Sequence, residues 1–136
     1  MGVVRRGRDD RGSALMTAMV FPALLALTLL IVQAGLYYHY KQRAAAAAEQ
    51  GAAAAAALAG TDGAREAAGR AAAGNFLEAL PLGEGVPTPA VEVDIGPDQV
   101  TVTVEGQFNP VVPIGTSTVT ASATAPLERF VPETDR

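Results

Sequence analysis

From Gly12 to Tyr40 the chain carries no Asp, Glu, Lys or Arg. Its densest apolar stretch, Ala18–Leu36, reads AMVFPALLALTLLIVQAGL. A helix needs about 20 predominantly apolar residues to cross the ~30 Å hydrocarbon core of a bilayer, and this run supplies them. Thr17, Thr28 and Gln33 are tolerable in such a helix. Pro22 would kink a helix in water, but membrane helices accept proline more readily. A transmembrane helix is therefore expected over 13–40, with a kink at Pro22. The rival reading is a secretory signal peptide, because Ala44–Ala48 offers small-residue cleavage sites. The apolar run is longer than the ~7–15 residues of a signal-peptide core, and those sites lie beyond Lys41 and Arg43.

The flanks suggest an orientation. Residues 1–12 form a basic leader in which Arg5, Arg6, Arg8 and Arg11 outnumber Asp9 and Asp10. Tyr37, Tyr38 and Tyr40 cluster at the far end of the run, where an aromatic belt would sit, and Lys41 and Arg43 follow at snorkelling distance. The excess of arginine before the span implies a single-pass plasma-membrane protein with its N-terminus cytoplasmic and its C-terminal part extracytoplasmic.

Beyond the span, composition limits what can fold. Hydrophobic residues make up 49% of the 136, but there are only four Phe and three Tyr, no Trp, and a great deal of alanine. A domain so poor in large side chains must find burial in lipid, in a long helix or in partner subunits. The absence of cysteine removes disulfides, thiolate chemistry and Cys-based metal sites. A net charge of −4 with no basic face argues against nucleic acid as a partner.

Ala44–Ala59 is low-complexity and helix-favouring, so it should continue the span into water, with Gly51 as its weak point. A single helix over Ser13–Ala59 would be about 70 Å long at ~1.5 Å per residue. Its small side chains would let another helix approach closely. Gly60-Thr61-Asp62-Gly63 breaks it. Thr61 or Asp62 caps a second helix, with Glu66 in its first turn, running to about Leu80. Ala73, Phe76, Leu77 and Leu80 form an apolar stripe on that helix. After a Pro-rich linker the period changes to two. Val91, Val93 and Ile95, then Val100, Val102 and Val104, then Val119, Ala121, Ala123 and Ala125 each alternate with polar residues, as half-buried antiparallel strands do. Gly96-Pro97-Asp98 is a tight turn, and Gly106–Gly115 a longer loop. The fold class is thus α+β and membrane-anchored: a long transmembrane helix extended by an Ala-rich helix, a short second helix and a small three-stranded antiparallel sheet, covered by the stripe of Phe76, Leu77 and Leu80. The divisions are a leader over 1–12, the span over 13–40, an Ala-rich helical region over 41–80, a β domain over 81–126 and a polar tail over 127–136.

The arrangement resembles the type IV pilins and pseudopilins, and more closely the TadE-like family of tight-adherence (Flp) pilus assembly systems. Three stretches carry the resemblance: Arg11-Gly12-Ser13-Ala14-Leu15 leading into Phe21-Pro22; the alanine-rich continuation; and Val100-Thr-Val-Thr-Val followed, after a Pro-rich loop, by Val119-Thr-Ala-Ser-Ala-Thr-Ala and Glu128. The alanine-rich, cysteine-free style is similar to that of actinobacterial members. The resemblance implies a pilin-like structural or assembly subunit whose partners are membrane lipid, pilin-like homologues, the inner-membrane assembly platform and a prepilin peptidase. That protease would cut between Gly12 and Ser13. The family usually has glutamate five residues after the cut, where this chain has Thr17.

Blander readings compete. Ser13 also suits a helix N-cap. His39, the one histidine, lacks the partners of a metal site. Glu92, Asp94 and Glu105 alternate with valines and read as solvated strand faces. Gly60–Gly63 lacks the lysine and preceding strand of a phosphate loop. No Ser/His/Asp set assembles, so neither an enzyme nor a cofactor is expected. The alternative function is a single-pass membrane-anchored extracytoplasmic binding module that presents the Gly106–Gly115 loop to a ligand.

Overall fold

A computed structural model describes the backbone from Asp9 to Leu127 and the side chains from Gly12 to Leu127. Most of the arginine-rich leader and the tail beyond Leu127, with Glu128, lie outside the described residues.

The first helix, α1, runs unbroken over Asp9–Ala57, about 73 Å at ~1.5 Å per residue. It passes through Pro22 and through Gly51, and it stops two residues before the expected Ala59. It also begins upstream of Ser13, so Ser13 is not its N-cap. The second helix, α2, spans Asp62–Ala79. Thr61 is its N-cap: the Thr61 hydroxyl accepts from the Ala64 N–H at 3.4 Å, and the Thr61 carbonyl accepts from the Ala64 and Arg65 N–H groups at 3.0 Å. Asp62 is the acidic residue of the first turn. Glu66, expected there, lies one turn further on, where it pairs with Arg70 at 2.7 Å across the i,i+4 spacing. Arg65 ties the helices together from the other side, donating from Nε to the Leu58 carbonyl at 3.0 Å just past the end of α1.

Three strands follow: β1 (Ala90–Ile95), β2 (Gln99–Gln107) and β3 (Thr118–Pro126). They form an antiparallel meander in the order β1-β2-β3, with Val93 opposite Val102 and Val102 opposite Ala123. The Gly96 N–H donates to the Gln99 carbonyl at 2.8 Å to close the first turn. β2 keeps pairing through Gly106 and Gln107, so the second connection begins at Phe108, two residues later than the sequence suggested.

The sheet has one wet face and one dry face. Val100, Val102, Val104 and Val119 are fully buried, while Glu92, Asp94, Glu105, Thr120, Ser122 and Thr124 are exposed on the other face. The cover over the dry face differs from the expected one. Leu77 and Ala73 of α2 are buried, but Phe76 is only half-buried and Leu80 is 43% exposed. Most of the cover comes from α1, which packs against β2, β3 and α2, while α2 lies over β1. The buried face of α1 is made of Ala44, Ala47, Ala48, Gly51, Ala52 and Ala55, at helical spacing. Alanine loses no rotamer entropy on burial, so a face of methyl groups is an inexpensive floor for a sheet whose valines supply the bulk.

The helices meet where neither has a side chain. A Cβ on Gly51 would lie 2.8 Å from the Gly69 carbonyl oxygen and 3.1 Å from both Ala73 Cβ and Val102 Cγ1. A Cβ on Gly69 would lie 3.1 Å from the Gly51 carbonyl oxygen and from Ala55 Cβ. Gly51, the expected weak point of α1, is therefore the place where α1, α2 and β2 converge. A similar gap exists at Gly106 of β2, where an added Cβ would run into Leu82 of the α2–β1 linker.

Two glycine substitutions should behave oppositely. Gly51→Ala should lower stability by about 1–3 kcal/mol through overpacking. Gly74→Ala, in α2 with nothing within 4 Å of the new methyl, should raise it by about 0.5–1 kcal/mol. Denaturant titration of the detergent-solubilised protein, followed by the sheet's circular dichroism, reads both.

Candidate functional site

Two surfaces of α1 bear on function. The first extends from Gly12 to Val32, where every side chain except the half-buried Leu29 is exposed. Among the described residues this is the one helix long and apolar enough to cross a membrane. Leu15, Met16, Met19, Phe21, Leu24 and Ile31 all stand in the open, an arrangement that water penalises and lipid does not. Thr28 is adapted to that setting, since its hydroxyl donates to the Leu24 carbonyl one turn back at 2.8 Å.

The candidate processing residues lie at the start of this surface. Gly12 and Ser13 are already helical, and a Cβ on Gly12 would meet nothing within 4 Å. Thr17 is one turn beyond Ser13 on the same exposed face and shares a shallow furrow with Ser13, Met16, Val20, Phe21 and Leu24. Pro22 lies inside the continuous helix.

The second surface starts at Gln33, where the folded domain closes on the helix. The Gln33 Oε1 accepts from the Val111 N–H at 2.8 Å and from the Val112 N–H at 3.3 Å. In the sequence Gln33 is merely a polar residue that a membrane helix tolerates; in the fold it fastens the β2–β3 loop to the helix. One turn further on, the tyrosines divide. Tyr37 and Tyr40 turn inward onto the buried Phe108, with ring centroids 6.1 Å and 5.4 Å away. Tyr38 faces out at 64% exposure. The three therefore do not form a single outward belt. Arg43 does not snorkel either: its guanidinium donates to the Pro81 carbonyl at 2.6 Å, just past the end of α2, and sits 5.8 Å from the Tyr40 ring centroid. Of the tyrosines and basic residues of this cluster, only Tyr38 and Lys41 are exposed.

No group of three or more His, Cys, Asp or Glu side chains that could hold a metal is present among the described residues. His39 is exposed and lies edge-on to Tyr40 at 5.8 Å. Glu92, Asp94 and Glu105 project from the wet face of the sheet. Truncation at the aromatic cluster, Phe108→Ala, should cost about 3–5 kcal/mol and release the loop from α1. Thermal unfolding and limited proteolysis of the loop would register the two effects.

The family model described as TadE-like protein matches residues 12–53. That segment comprises the exposed apolar helix and most of the alanine face, and it ends before α2 and the sheet. No curated protein and no solved structure matches the chain. Over residues 12–53, from the Gly-Ser-Ala opening through Pro22 to the alanine-rich extension, the chain is similar to the TadE-like family.

Proposed function

We propose that the chain is a single-pass, membrane-anchored, pilin-like structural or assembly subunit of a tight-adherence (Flp-type) pilus or related secretion filament. The match of residues 12–53 to the TadE-like family carries the proposal. The shape supports it: one long helix, apolar and exposed in its first half, bears a small α+β domain on its second half. In this reading the N-terminus is cytoplasmic and the domain extracytoplasmic. Its partners are lipid, pilin-like homologues and the inner-membrane assembly platform, with a prepilin peptidase cutting between Gly12 and Ser13. It has no catalytic role. The small residue at Gly12 lets the backbone enter a protease cleft, and the first turn of α1 must unwind for the cut.

Thr17 defines the kind of subunit. Glutamate at that position would carry a carboxylate into the bilayer at a cost of roughly 2.5–3.5 kcal/mol unless a neighbour's new N-terminal amine paired with it. Threonine avoids the cost and forgoes the pairing. A subunit built this way initiates or caps a filament, or stays in the assembly complex, rather than propagating along it. The binding-module alternative has less support, because its presenting loop is fastened by Gln33 to the middle of α1 rather than standing free at the far end of the domain.

Mass spectrometry of the membrane-extracted protein is expected to show a mature chain starting at Ser13. An intact leader would remove the processing step from the proposal. Deleting the gene is expected to reduce surface pili, and unchanged piliation would overturn the assembly role. Thr17→Glu is expected to increase the protein's share of sheared filaments; an unchanged share would count against the initiator reading.

A further inference from the structure

The loop between β2 and β3 is unusual in what it exposes and where. Val111 is 50% and Ile114 is 66% exposed, although the rest of the domain has a polar exterior apart from Leu58 and Leu80 among its larger apolar side chains. Both loop residues lie beside the upper end of the exposed apolar helix. Val111 and Val112 donate to Gln33, and Ile114 borders the same cleft as Leu30, Ala34 and Tyr37.

The loop is also held in shape. The Phe108 N–H donates to the Ser117 carbonyl at 2.8 Å across its base. The Ile114 N–H donates to the Val112 carbonyl at 2.7 Å, a γ-turn centred on Pro113, whose ring suits the φ that such a turn needs. Gly115, at φ +90°, turns the chain back. Its backbone donors matter as much as its side chains. Unpaired N–H groups are excluded from lipid, and here those of Val111, Val112 and Ile114 are all satisfied within the protein.

Helix length agrees with a bilayer edge at the height of the loop. Residues 13–32, exposed except for Leu29, are about 20 in number and span about 30 Å at ~1.5 Å per residue, the thickness of a hydrocarbon core. A hydrocarbon core filled by these residues ends at Gln33, level with the loop, and puts Tyr38 and Lys41 among the headgroups.

We infer that the β2–β3 loop is a second membrane contact, with Val111 and Ile114 seated in the lipid interface of the same leaflet from which α1 emerges. This rests on the proposed membrane span, and its occupant is lipid because the patch is continuous with the lipid-facing helix. The contact makes the domain a footed structure rather than a head on a stalk.

The chain has no tryptophan, so single-Trp variants report depth without background. Ile114→Trp, Leu25→Trp and Thr120→Trp are each placed in the full chain and reconstituted into phosphatidylcholine vesicles brominated either near the headgroup or near the chain ends. Leu25→Trp should be quenched most by the deep bromines. Ile114→Trp should be quenched at least twofold, and more by the shallow bromines, while Thr120→Trp on the wet face of the sheet should be unaffected. Val111→Trp repeats the loop measurement should Ile114→Trp fold poorly. Quenching at Leu25→Trp without quenching at either loop position overturns the inference and leaves the span standing, including when a blue-shifted loop emission points to protein contact instead. No quenching at Leu25→Trp overturns the span and the inference together.

Discussion

The close approach of α1 and α2 at Gly51 and Gly69 is the constraint on which the rest of the domain depends. With no Cβ on either side, each glycine's carbonyl oxygen comes near the other helix, and two helices can share one floor beneath a narrow sheet. A side chain at either position would lift α2 away from β1 or α1 away from β2. The valines of β2 reach that floor directly: Val102 Cγ1 lies at the Gly51 position itself. Thin packing of this kind explains how a domain with so few large side chains has a dry interior. Phe108 and Leu82 are buried beside the Gln33 end of the domain and at the α2–β1 linker, and no polar or charged side chain is buried among the described residues.

Legibility in the sequence tracked side-chain contrast. The strands announced themselves because valine alternates with Thr, Glu or Asp, and α2 announced itself by a capping Thr and terminal Pro81. The alanine run offered no such contrast. Ala47 and Ala52 are buried while Ala53 and Ala57 are exposed, yet all are the same residue, so hydrophobic periodicity could not indicate which face meets the sheet. The stripe of Phe76, Leu77 and Leu80 therefore looked like the main cover, although it is the minor one. The tyrosines posed a related problem. Residues 37, 38 and 40 share a composition and a neighbourhood, but they occupy different faces of a helix, and only the position of Phe108 decides which turn inward.

The candidate processing residues Gly12, Ser13 and Thr17 stand out through the resemblance to the TadE-like family, and Pro22 as a proline within the apolar run; all four lie along exposed helix. The contacts at the other end of that helix were hidden because they depend on tertiary structure. Gln33 carried no signal beyond being polar. Its partners are nearly 80 residues away in the chain, and the two loop N–H groups that it satisfies could be identified only once the sheet had brought the loop back to the helix.

Continuity of α1 has a mechanical consequence. The same 49-residue rod is exposed apolar helix, long enough to cross a membrane, at one end and domain floor at the other, with no linker between them. Gln33, Tyr37, Tyr40 and Arg43 fasten the domain at successive turns just above the exposed section. The domain cannot swivel or tilt independently of the apolar section. A force applied to it is delivered to the helix without slack, so rotation and lift are transmitted as a rigid shaft transmits them.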